Sequence, residues 1–353
     1  MYHINFDIPE KIHFMGIGGI SMSGLAEILL DRGFTVCGSD RAPSAITRHL
    51  EAKGVRIAYG QCAENITDDM DAVVYTAAIH PDNPEFAEAV KKGIPMLDRA
   101  ELLGQIMSHY KNSVAVSGTH GKTTTTSMLS HIFLQAETDP TISVGGILKA
   151  IHGNIKIGRS ENFITEACEY TNSFLKFNPK IEIILNIEED HLDFFKDIHD
   201  IRRSFKAFAE KLPDDGTLVI NGEIDNIGEL TQNLGCRVIT YGLENHFEYN
   251  ARNITFDEQG AGRFDLYHNN DFMEHIELSV TGLHNVSNAL SAAAASEALH
   301  ISIEDIKAGL KAFEGTDRRF EYKGEFNGVT IIDDYAHHPT EITATLTLSL
   351  IHI

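Results

Sequence analysis

Short apolar runs alternate with amphipathic stretches through the first 108 residues, a pattern typical of strands and helices in turn. An apolar run at residues 12–15 precedes a group of glycines, and Leu25, Ile28 and Leu29 then recur at helical spacing. Further strands are predicted at residues 34–40, 55–59, 72–76 and 95–97, with a helix at 84–92. This alternation predicts a Rossmann-like domain with a parallel α/β sheet over residues 1–108.

A second series of strands and helices occupies residues 109–313. A strand at 113–116 leads through a glycine-rich loop into a helix that begins at Lys122, and later strands are predicted at residues 163–166, 181–186, 218–221 and 238–241. Residues 251–280 alternate as antiparallel strands do, and residues 284–300 and 302–313 read as helices, the last with Ser302 as its N-cap. The pattern predicts a central α/β domain with a mixed, mainly parallel sheet.

Residues 314–353 read as the opening of a third α/β domain. After Thr345 the pattern predicts no continuing helix. We expect the chain to be a truncated gene product, with residues 348–353 derived from sequencing adaptor rather than from the gene. A short natural C-terminus is the alternative.

Charge and composition exclude some classes of partner. The formal net charge is −22, from 51 acidic and 29 basic residues, which argues against broad binding of nucleic acid or anionic membranes. No apolar run approaches the ~18 residues of a membrane span, and the first residues do not resemble a secretory signal. Anionic small molecules stay possible, because they need only a local pocket of amides and a few cations.

The four cysteines are scattered: Cys37, Cys62, Cys168 and Cys236. No pair has C-x-x-C spacing, so neither a zinc ribbon nor a redox pair is indicated. Reduced, scattered cysteines are typical of the cytoplasm, which is the location we expect.

A first glycine turn, residues 16–21, lies between a predicted strand and a helix. Backbone amides in such a turn approach a pyrophosphate closely, and the helix N-terminus adds positive potential. The third position of the usual G-x-G-x-x-G pattern is serine here, and Asp40 at the end of the next strand could hold a ribose hydroxyl. A nicotinamide site, a nucleotide-sugar site and tight glycine packing without a ligand remain open. The candidate binding residues are Gly16, Gly18, Gly19, Ser21 and Asp40.

A second glycine turn resembles a phosphate loop with two residues missing. The usual spacing is G-x-x-x-x-G-K-[ST], whereas here only Thr119 and His120 separate Gly118 from Gly121. Amides at the helix start can still form an anion nest, with Lys122 on the β- and γ-phosphates and the Thr123 hydroxyl on Mg²⁺. The predicted nucleotide-binding residues of this phosphate loop are Gly118, Thr119, His120, Gly121, Lys122, Thr123 and Thr124.

Further magnesium ligands should lie at the ends of neighbouring strands, because parallel strands end at the same edge of a sheet. Glu166 ends one predicted strand, and His191 follows another within a run that contains Glu189, Asp190 and Asp193. Mg²⁺ prefers oxygen ligands and keeps several waters. We expect Thr123, Glu166 and His191 to form the metal site.

Six segments in one order carry a resemblance to a known family: GTHGKTTTTSML, EACEY, NIEEDHLDFF, GLHNVSNALSAAAA, DRRFE and DDYAHHPTEI. The chain resembles the Mur ligases, ATP-dependent enzymes that form amide bonds in peptidoglycan precursor synthesis. The resemblance covers residues 10 to about 344. It implies that the shortened loop binds ATP, so that the central region is a P-loop ATPase domain, and that the first glycine turn holds the uridine diphosphate of a sugar.

The resemblance also implies roles for individual residues. Asn285 and Asn288 would lie near adenine, and Asp334 and His337 near the nucleotide ribose. Arg319 would approach the ATP phosphates. Lys122, His191 and Arg319 would be the catalytic residues, and Glu166 and His191 the metal ligands. Several family members carry a carbamylated lysine in this region, but we expect Lys206 to be an unmodified, exposed lysine of an amphipathic helix.

Within the family, the motifs look most like those of members that join L-alanine to the lactyl carboxylate of UDP-N-acetylmuramate through an acyl phosphate, with ATP and Mg²⁺. Members that recycle murein tripeptide are the nearest alternative. A nicotinamide oxidoreductase, a P-loop kinase or ATPase and a nucleotide-sugar binding module are the others. Because the third domain largely selects the amino acid in this family, we expect the 353-residue chain to bind ATP weakly and to have little ligase activity.

Overall fold

The computed structural model describes residues 2–76, 78–317 and 319–352, and it describes no side chain from residue 348 onward. The chain forms two compact units, one ending at His109 and the other beginning at Tyr110. The boundary predicted after residue 313 lies inside the second unit and stays a prediction. Arg318 of the DRRFE motif, and the side chains of the suspected adaptor segment, lie outside the described residues.

The first unit is built on a five-stranded parallel sheet in the order β3-β2-β1-β4-β5. Its strands are β1 Lys11–Met15, β2 Thr35–Asp40, β3 Arg56–Tyr59, β4 Ala72–Tyr75 and β5 Met96–Asp98, and its helices are α1 Ile20–Asp31, α2 Ala45–Ala52, α3 Pro84–Lys92 and α4 Arg99–Met107. The Asn83 side chain accepts from the amide of Glu85 at the start of α3, and Gly93 ends that helix in the left-handed conformation. The predicted Rossmann-like fold is confirmed.

The second unit contains a ten-stranded mixed sheet in the order β15-β14-β13-β12-β11-β10-β6-β9-β7-β8. Its strands are β6 Asn112–Ser117, β7 Thr141–Leu148, β8 Gly153–Lys156, β9 Asn162–Glu166, β10 Ile181–Ile184, β11 Thr217–Asn221, β12 Arg237–Gly242, β13 Tyr249–Phe256, β14 Ala261–His268 and β15 Asp271–Thr281. Strands β7, β9, β6, β10, β11, β12 and β13 run parallel, and β8, β14 and β15 are antiparallel to their neighbours. The mixed sheet expected from the sequence is confirmed.

Helices cover this sheet and bury its apolar side chains. They are α5 Lys122–Gln135, α6 Ile198–Ala209, α7 Ile227–Thr231, α8 Leu283–Ala298 and α9 Ile303–Ala312. Met128, Ile132 and Phe133 of α5 pack in one cluster with Val286 of α8 and Leu310 of α9. The core therefore fixes α5, whose first turn carries the phosphate loop.

After residue 313 the chain forms a two-stranded antiparallel sheet, β16 Glu321–Phe326 and β17 Val329–Asp333, and then a helix, α10 Pro339–His352. The expectation that no helix continues beyond Thr345 is therefore wrong. The helical signal of this segment is weak because its threonines and isoleucines are β-branched and favour strands as much as helices. Among the described residues, none of the helices combines the length and the apolar character that a membrane-crossing segment needs.

Substitution of Gly309 by alanine tests the packing of α9 on α5. A Cβ at Gly309 would lie 2.4 Å from the Cα of Ile132, so the two helices must separate to admit it. We expect Gly309→Ala to lower the free energy of unfolding by about 1–3 kcal/mol, although alanine favours helix. Urea unfolding measures this, with Gly228→Ala in α7 as the control because a Cβ there meets nothing within 4 Å. Equal stability of the two variants would contradict this packing.

Glu182, in the middle of β10, is fully buried, and neither of its carboxylate oxygens has a hydrogen-bond partner. Burial raises its pKa well above the ordinary value of 4.5. The folded chain therefore holds a proton that the unfolded chain releases above pH 4.5, so stability falls as pH rises towards the raised pKa.

We expect Glu182→Leu to increase the free energy of unfolding at pH 7.5 by about 1–3 kcal/mol and to remove part of this pH dependence, because an unsatisfied buried polar group is lost. Urea unfolding between pH 5 and 8 measures both effects. Glu277→Leu is the control, since Glu277 forms an ion pair with Lys311 at the surface. The hydrogen bond from Lys311 lowers the pKa of Glu277, so this carboxylate is not a buried acid. A less stable Glu182→Leu variant would show that the carboxyl group is needed.

Candidate active site

The phosphate loop passes tightly over the end of β10. Gly118 and Gly121 have φ angles of 139° and 81°, which residues other than glycine rarely adopt. A Cβ at Gly118 would lie 2.9 Å from the Cβ of Leu185, and Gly121 is the N-cap of α5. The backbone therefore turns sharply from the end of β6 into α5 despite the shortened spacing.

The side chain of Asn186, just beyond β10, clamps the loop at His120. Its Oδ1 accepts from the His120 amide at 2.8 Å, and its Nδ2 donates to the His120 carbonyl at 3.2 Å. The Thr119 amide donates to the Asn186 carbonyl at 3.2 Å, and the Thr119 hydroxyl accepts from the Glu188 amide at 2.9 Å. These four hydrogen bonds hold the loop to the neighbouring strand end.

Lys122 lies inside the loop and forms an ion pair that the sequence analysis missed. Its Nζ donates to the carbonyl oxygens of Gly118 and Thr119 and to both carboxylate oxygens of Glu169, the latter at 3.1 and 2.9 Å. Glu169 is buried, with 2 % exposure. The sequence feature that could have indicated this pair is Glu169, the second glutamate of EACEY, three positions after Glu166.

Thr123 and Glu166 meet as the predicted magnesium ligands should. The Thr123 hydroxyl donates to Glu166 Oε2 at 3.1 Å, and the amide of Gly145 in β7 donates to Oε1 at 2.5 Å. Burial raises the pKa of Glu166, and the hydrogen bonds from Gly145 and Thr123 oppose that shift. A hydroxyl and a carboxylate oxygen side by side are the hard ligands that Mg²⁺ prefers, so the two residues fit this ion.

His191 lies beside Glu169. Its Nε2 is 3.9 Å from Glu169 Oε1 and 3.8 Å from Asp190 Oδ2, and its ring packs on Tyr170 with centroids 4.5 Å apart. The residue has a φ of 52°, a left-handed conformation that is uncommon for histidine. Glu169 therefore connects His191 to Lys122, which places the histidine at the same edge of the sheet as the phosphate loop.

A cavity of about 430 Å³ opens next to the loop, within the usual range of about 300–1,000 Å³ for small-molecule sites. Three segments supply predicted nucleotide-binding residues to its walls: His120, Gly121 and Thr124 from the loop, Asn285 and Asn288 from α8, and Arg319 and Asp334 from the region after α9. His337 is not among the residues that line the cavity, and its side chain is largely exposed.

The two asparagines of α8 form a buried polar pair in the cavity wall. Asn285 Nδ2 donates to the Thr281 carbonyl at 2.7 Å, and Asn288 Nδ2 donates to Asn285 Oδ1 at 3.1 Å. A Cβ at Gly121 would lie 2.9 Å from Asn288 Oδ1, so the pair sits directly against the loop. Amide groups at this place can recognise the polar edge of a base.

The region after α9 brings one cation and several hydrogen-bonding groups to the cavity. Arg319 Nη1 lies 3.5 Å from Glu341 Oε1 at the start of α10. Asp334 accepts from the amides of Phe320 and Ala336 at 2.8 and 2.7 Å, which fixes the turn between β17 and α10. Lys122 and Arg319 are thus the two predicted phosphate cations, and each is paired with a glutamate.

In the first unit, Asp40 holds the first glycine turn itself. Its Oδ2 accepts from the Gly18 amide at 2.7 Å, and a Cβ at Gly18 would lie equally close to that oxygen. Gly16 has a φ of 76°, and its amide donates to the Ser39 carbonyl at 2.9 Å. Ser21 is exposed in the first turn of α1, whose N-cap is Gly19. All five predicted residues therefore lie at one βα turn.

Lys206 in α6 is half-buried rather than exposed. Its Nζ donates to the carbonyl oxygens of Leu230 and Gln232 at 3.2 and 2.5 Å and lies 3.6 Å from Glu210. These contacts with the ammonium group favour an unmodified lysine. That Lys206 is unmodified stays a prediction.

Three domain models of one protein family match consecutive regions of the chain. The Mur ligase middle domain matches residues 116–296, the Mur ligase family catalytic domain residues 11–111, and the Mur ligase glutamate ligase domain residues 318–349. The chain belongs to the Mur ligase family.

Among its Mur ligase relatives, the UDP-N-acetylmuramate–L-alanine ligase of Agathobacter rectalis is 60 % identical over 347 residues, which is 98 % of this chain and 76 % of the relative. The ligase of the same name from Clostridium perfringens is 52 % identical over 340 residues, 96 % of this chain and 74 % of the relative.

Solved structures show the same fold. The UDP-N-acetylmuramate–alanine ligase of Thermotoga maritima has a TM-score of 0.80 at 31 % identity, over 97 % of this chain and 78 % of that one. A murein peptide ligase from Psychrobacter arcticus also has a TM-score of 0.80, at 27 % identity, over 96 % of this chain and 76 % of that one.

A double-mutant cycle tests the buried pair of Lys122 and Glu169. We expect Lys122→Ala to lower the free energy of unfolding by about 3 kcal/mol, because the Glu169 carboxylate then stays buried without its cation. Glu169→Gln in the same chain should restore part of this loss, which gives a coupling energy of about 0.5–3 kcal/mol.

Urea unfolding of the four proteins without nucleotide measures that coupling. Lys91→Ala is the control because its ion pair with Glu88 is exposed, and we expect a change below about 0.5 kcal/mol. Additive effects of the two substitutions would show that Glu169 does not hold the loop lysine.

Proposed function

We propose that this Mur ligase uses ATP to join L-alanine to the lactyl carboxylate of UDP-N-acetylmuramate, in the cytoplasm, as a step of peptidoglycan synthesis. The observation that carries the proposal is the phosphate loop whose lysine, threonine and neighbouring glutamates converge beside a cavity lined by Asn285, Asn288 and Arg319. The names of relatives at 60 % and 52 % identity support the choice of substrates.

The residues of the loop suit transfer of the terminal phosphoryl group. The amides at the start of α5 and the ammonium group of Lys122 supply positive charge where phosphate oxygens would lie. Arg319, in the wall of the cavity, supplies a second cation for the charge that develops during in-line attack by the sugar carboxylate.

Thr123 and Glu166, with His191 near Glu169, would hold Mg²⁺. When bound, this ion neutralises phosphate oxygens and orients them for transfer. Glu169 orients the Lys122 ammonium group by accepting two hydrogen bonds from it. The acyl phosphate formed from the carboxylate would then accept the amine of L-alanine, and inorganic phosphate would leave.

The first glycine turn suits the uridine diphosphate of the sugar substrate. The N-terminus of α1, which begins after Gly19, supplies the positive potential that usually surrounds a pyrophosphate. Asp40 already accepts from the Gly18 amide, which leaves it poorly placed to serve a nicotinamide ribose as well. This contact favours the nucleotide sugar over the dinucleotide.

Murein-tripeptide ligation is the second candidate for the amine substrate. The Psychrobacter arcticus structure has the same TM-score as the alanine ligase from Thermotoga maritima, so the fold does not separate the two activities. The higher identity to the alanine ligases favours L-alanine.

Calorimetry on the 353-residue chain tests the two nucleotide sites separately. We expect Lys122→Ala to lose ATP binding and to keep UDP-N-acetylmuramate binding. Gly18→Val should do the reverse, because its side chain would collide with Asp40 and Thr47. Binding of NAD at the first turn in place of the UDP-sugar would contradict the assignment of that site.

The ligase reaction is best tested in a chimera in which the chain continues, after residue 345, with the remaining part of the Agathobacter rectalis relative. We expect phosphate release that requires both UDP-N-acetylmuramate and L-alanine, and a decrease of at least about 100-fold in Lys122→Ala. Phosphate release with murein tripeptide but not with L-alanine would support the second candidate. Release that ignores every acceptor would contradict both.

A further inference from the structure

Two histidines and a glutamate from three segments meet at the edge of the cavity. His120 comes from the phosphate loop, Glu188 from the segment after β10, and His338 from the residue before α10. One ligand atom from each lies within 4.8 Å of the other two. His120 Nε2 is 3.6 Å and His338 Nδ1 is 3.7 Å from Glu188 Oε2.

The hydrogen bonds of His338 determine which of its ring nitrogens carries the proton. Its Nε2 lies 3.1 Å from the carbonyl oxygen of Glu189. A carbonyl can only accept, so Nε2 carries the proton and donates it. Nδ1 then presents a lone pair, and the amide of Thr340 donates to it weakly at 3.3 Å.

His120 is arranged in the same way. Its Nδ1 lies 3.2 Å from Glu341 Oε1. The other contacts of Glu341 are with donors, since its Oε1 lies 3.5 Å from Arg319 Nη1 and its Oε2 accepts from the His337 amide at 3.2 Å. The ionised carboxylate accepts the Nδ1 proton, so the lone pair lies on Nε2. That atom is buried and has no hydrogen-bond partner.

Two unprotonated imidazole nitrogens therefore lie within 3.7 Å of one carboxylate oxygen, and a positive charge between the three atoms would stabilise this arrangement. Each histidine also donates its other nitrogen to a carboxylate or a carbonyl, as metal-binding histidines do. In a tetrahedral zinc site with bonds of about 2.0–2.1 Å, neighbouring ligand atoms are about 3.4 Å apart. The separations of 3.6 and 3.7 Å are close to that value.

We propose that His120, Glu188 and His338 bind one divalent transition-metal ion of the Zn²⁺ class, at a site separate from the Thr123–Glu166 magnesium ligands. Imidazole nitrogens suit Zn²⁺, whereas Mg²⁺ prefers an all-oxygen shell. The three side chains have exposures of 13, 35 and 16 %, so the ion has a path from solvent and water can complete its coordination.

The bound ion ties the start of α10 to the phosphate loop. Thr340, which donates to Glu188 Oε2 at 2.6 Å, and Glu341 already connect these segments through hydrogen bonds. A metal bridge stabilises that packing beside the nucleotide cavity. Zn²⁺ thereby restrains the region after β17 independently of ATP.

Titration of the 353-residue chain with Co²⁺ and Zn²⁺ at pH 7.5, without nucleotide and in the presence of millimolar Mg²⁺, tests the site. We expect one Co²⁺ per chain with the visible absorption of a four-coordinate ion, displaced by Zn²⁺. His338→Gln and Glu188→Gln should each weaken Zn²⁺ binding by at least about tenfold, since loss even of outer partners costs about 10–100-fold. Binding should also weaken as the pH is lowered, because protons compete with the metal for its ligands.

Two further histidine variants are the controls. His246→Gln removes a surface histidine beside a single glutamate, and His191→Gln alters the predicted magnesium site. Both should keep Zn²⁺ affinity. Thermal unfolding without metal verifies that each variant is folded. The Co²⁺ spectrum of the unaltered chain tests the site even if a variant fails to fold.

Absence of four-coordinate Co²⁺ absorption would overturn the proposal, as would undiminished affinity in the folded His338→Gln and Glu188→Gln variants. Loss of binding in His191→Gln would place the ion at the magnesium ligands instead. Doubly protonated His120 and His338 at pH 7.5, detected by nitrogen chemical shifts, would show that two imidazolium ions rather than a metal satisfy Glu188.

Discussion

The pair of hydrogen bonds between the Asn186 side chain and the His120 backbone is the constraint on which the rest of the site depends. It fixes a loop that has two residues fewer than the usual phosphate loop and ties it to the end of β10. From that anchor the chain turns through Gly121 into α5, which sets the directions of Lys122 and Thr123. The buried core of α5, α8 and α9 prevents the helix from moving away.

The site has to attract anions although the chain as a whole is strongly negative. Two of its cations are each held by a glutamate: Lys122 by Glu169 and Arg319 by Glu341. Such pairs keep the cationic side chains oriented in a partly buried place. The backbone amides at the helix start add positive potential that has no counter-charge of its own. Local geometry thus overcomes an unfavourable net charge of −22.

Much of the fold could be predicted because the pattern is local. The apolar runs and glycine turns predicted most strands of both units to within a few residues, although β7 and β8 were not predicted. The capping of α3 follows from Asn83 and Pro84. The prediction failed where the local signal was ambiguous, as in α10, where threonines occupy helical positions. Lys206 was expected to be exposed, yet its ammonium group donates to the carbonyl oxygens of Leu230 in α7 and of Gln232 just after that helix. These acceptors come from a segment more than twenty residues away, which no periodicity reports.

The sequence by itself determined the family, the two glycine turns and the identity of Lys122, Thr123 and Glu166, because these depend on residue types at fixed spacing along the chain. Only the tertiary structure decided their partners. It brought Glu169 to Lys122, Asn186 to His120, and both Glu188 and His338 to the same loop. The contacts that Glu169, Asn186 and Glu341 make with the loop join residues 47 to 221 positions apart. The reason is physical: the order of strands in a sheet and the packing of helices on it fix which loop ends meet, and those are set by the whole core rather than by neighbouring residues.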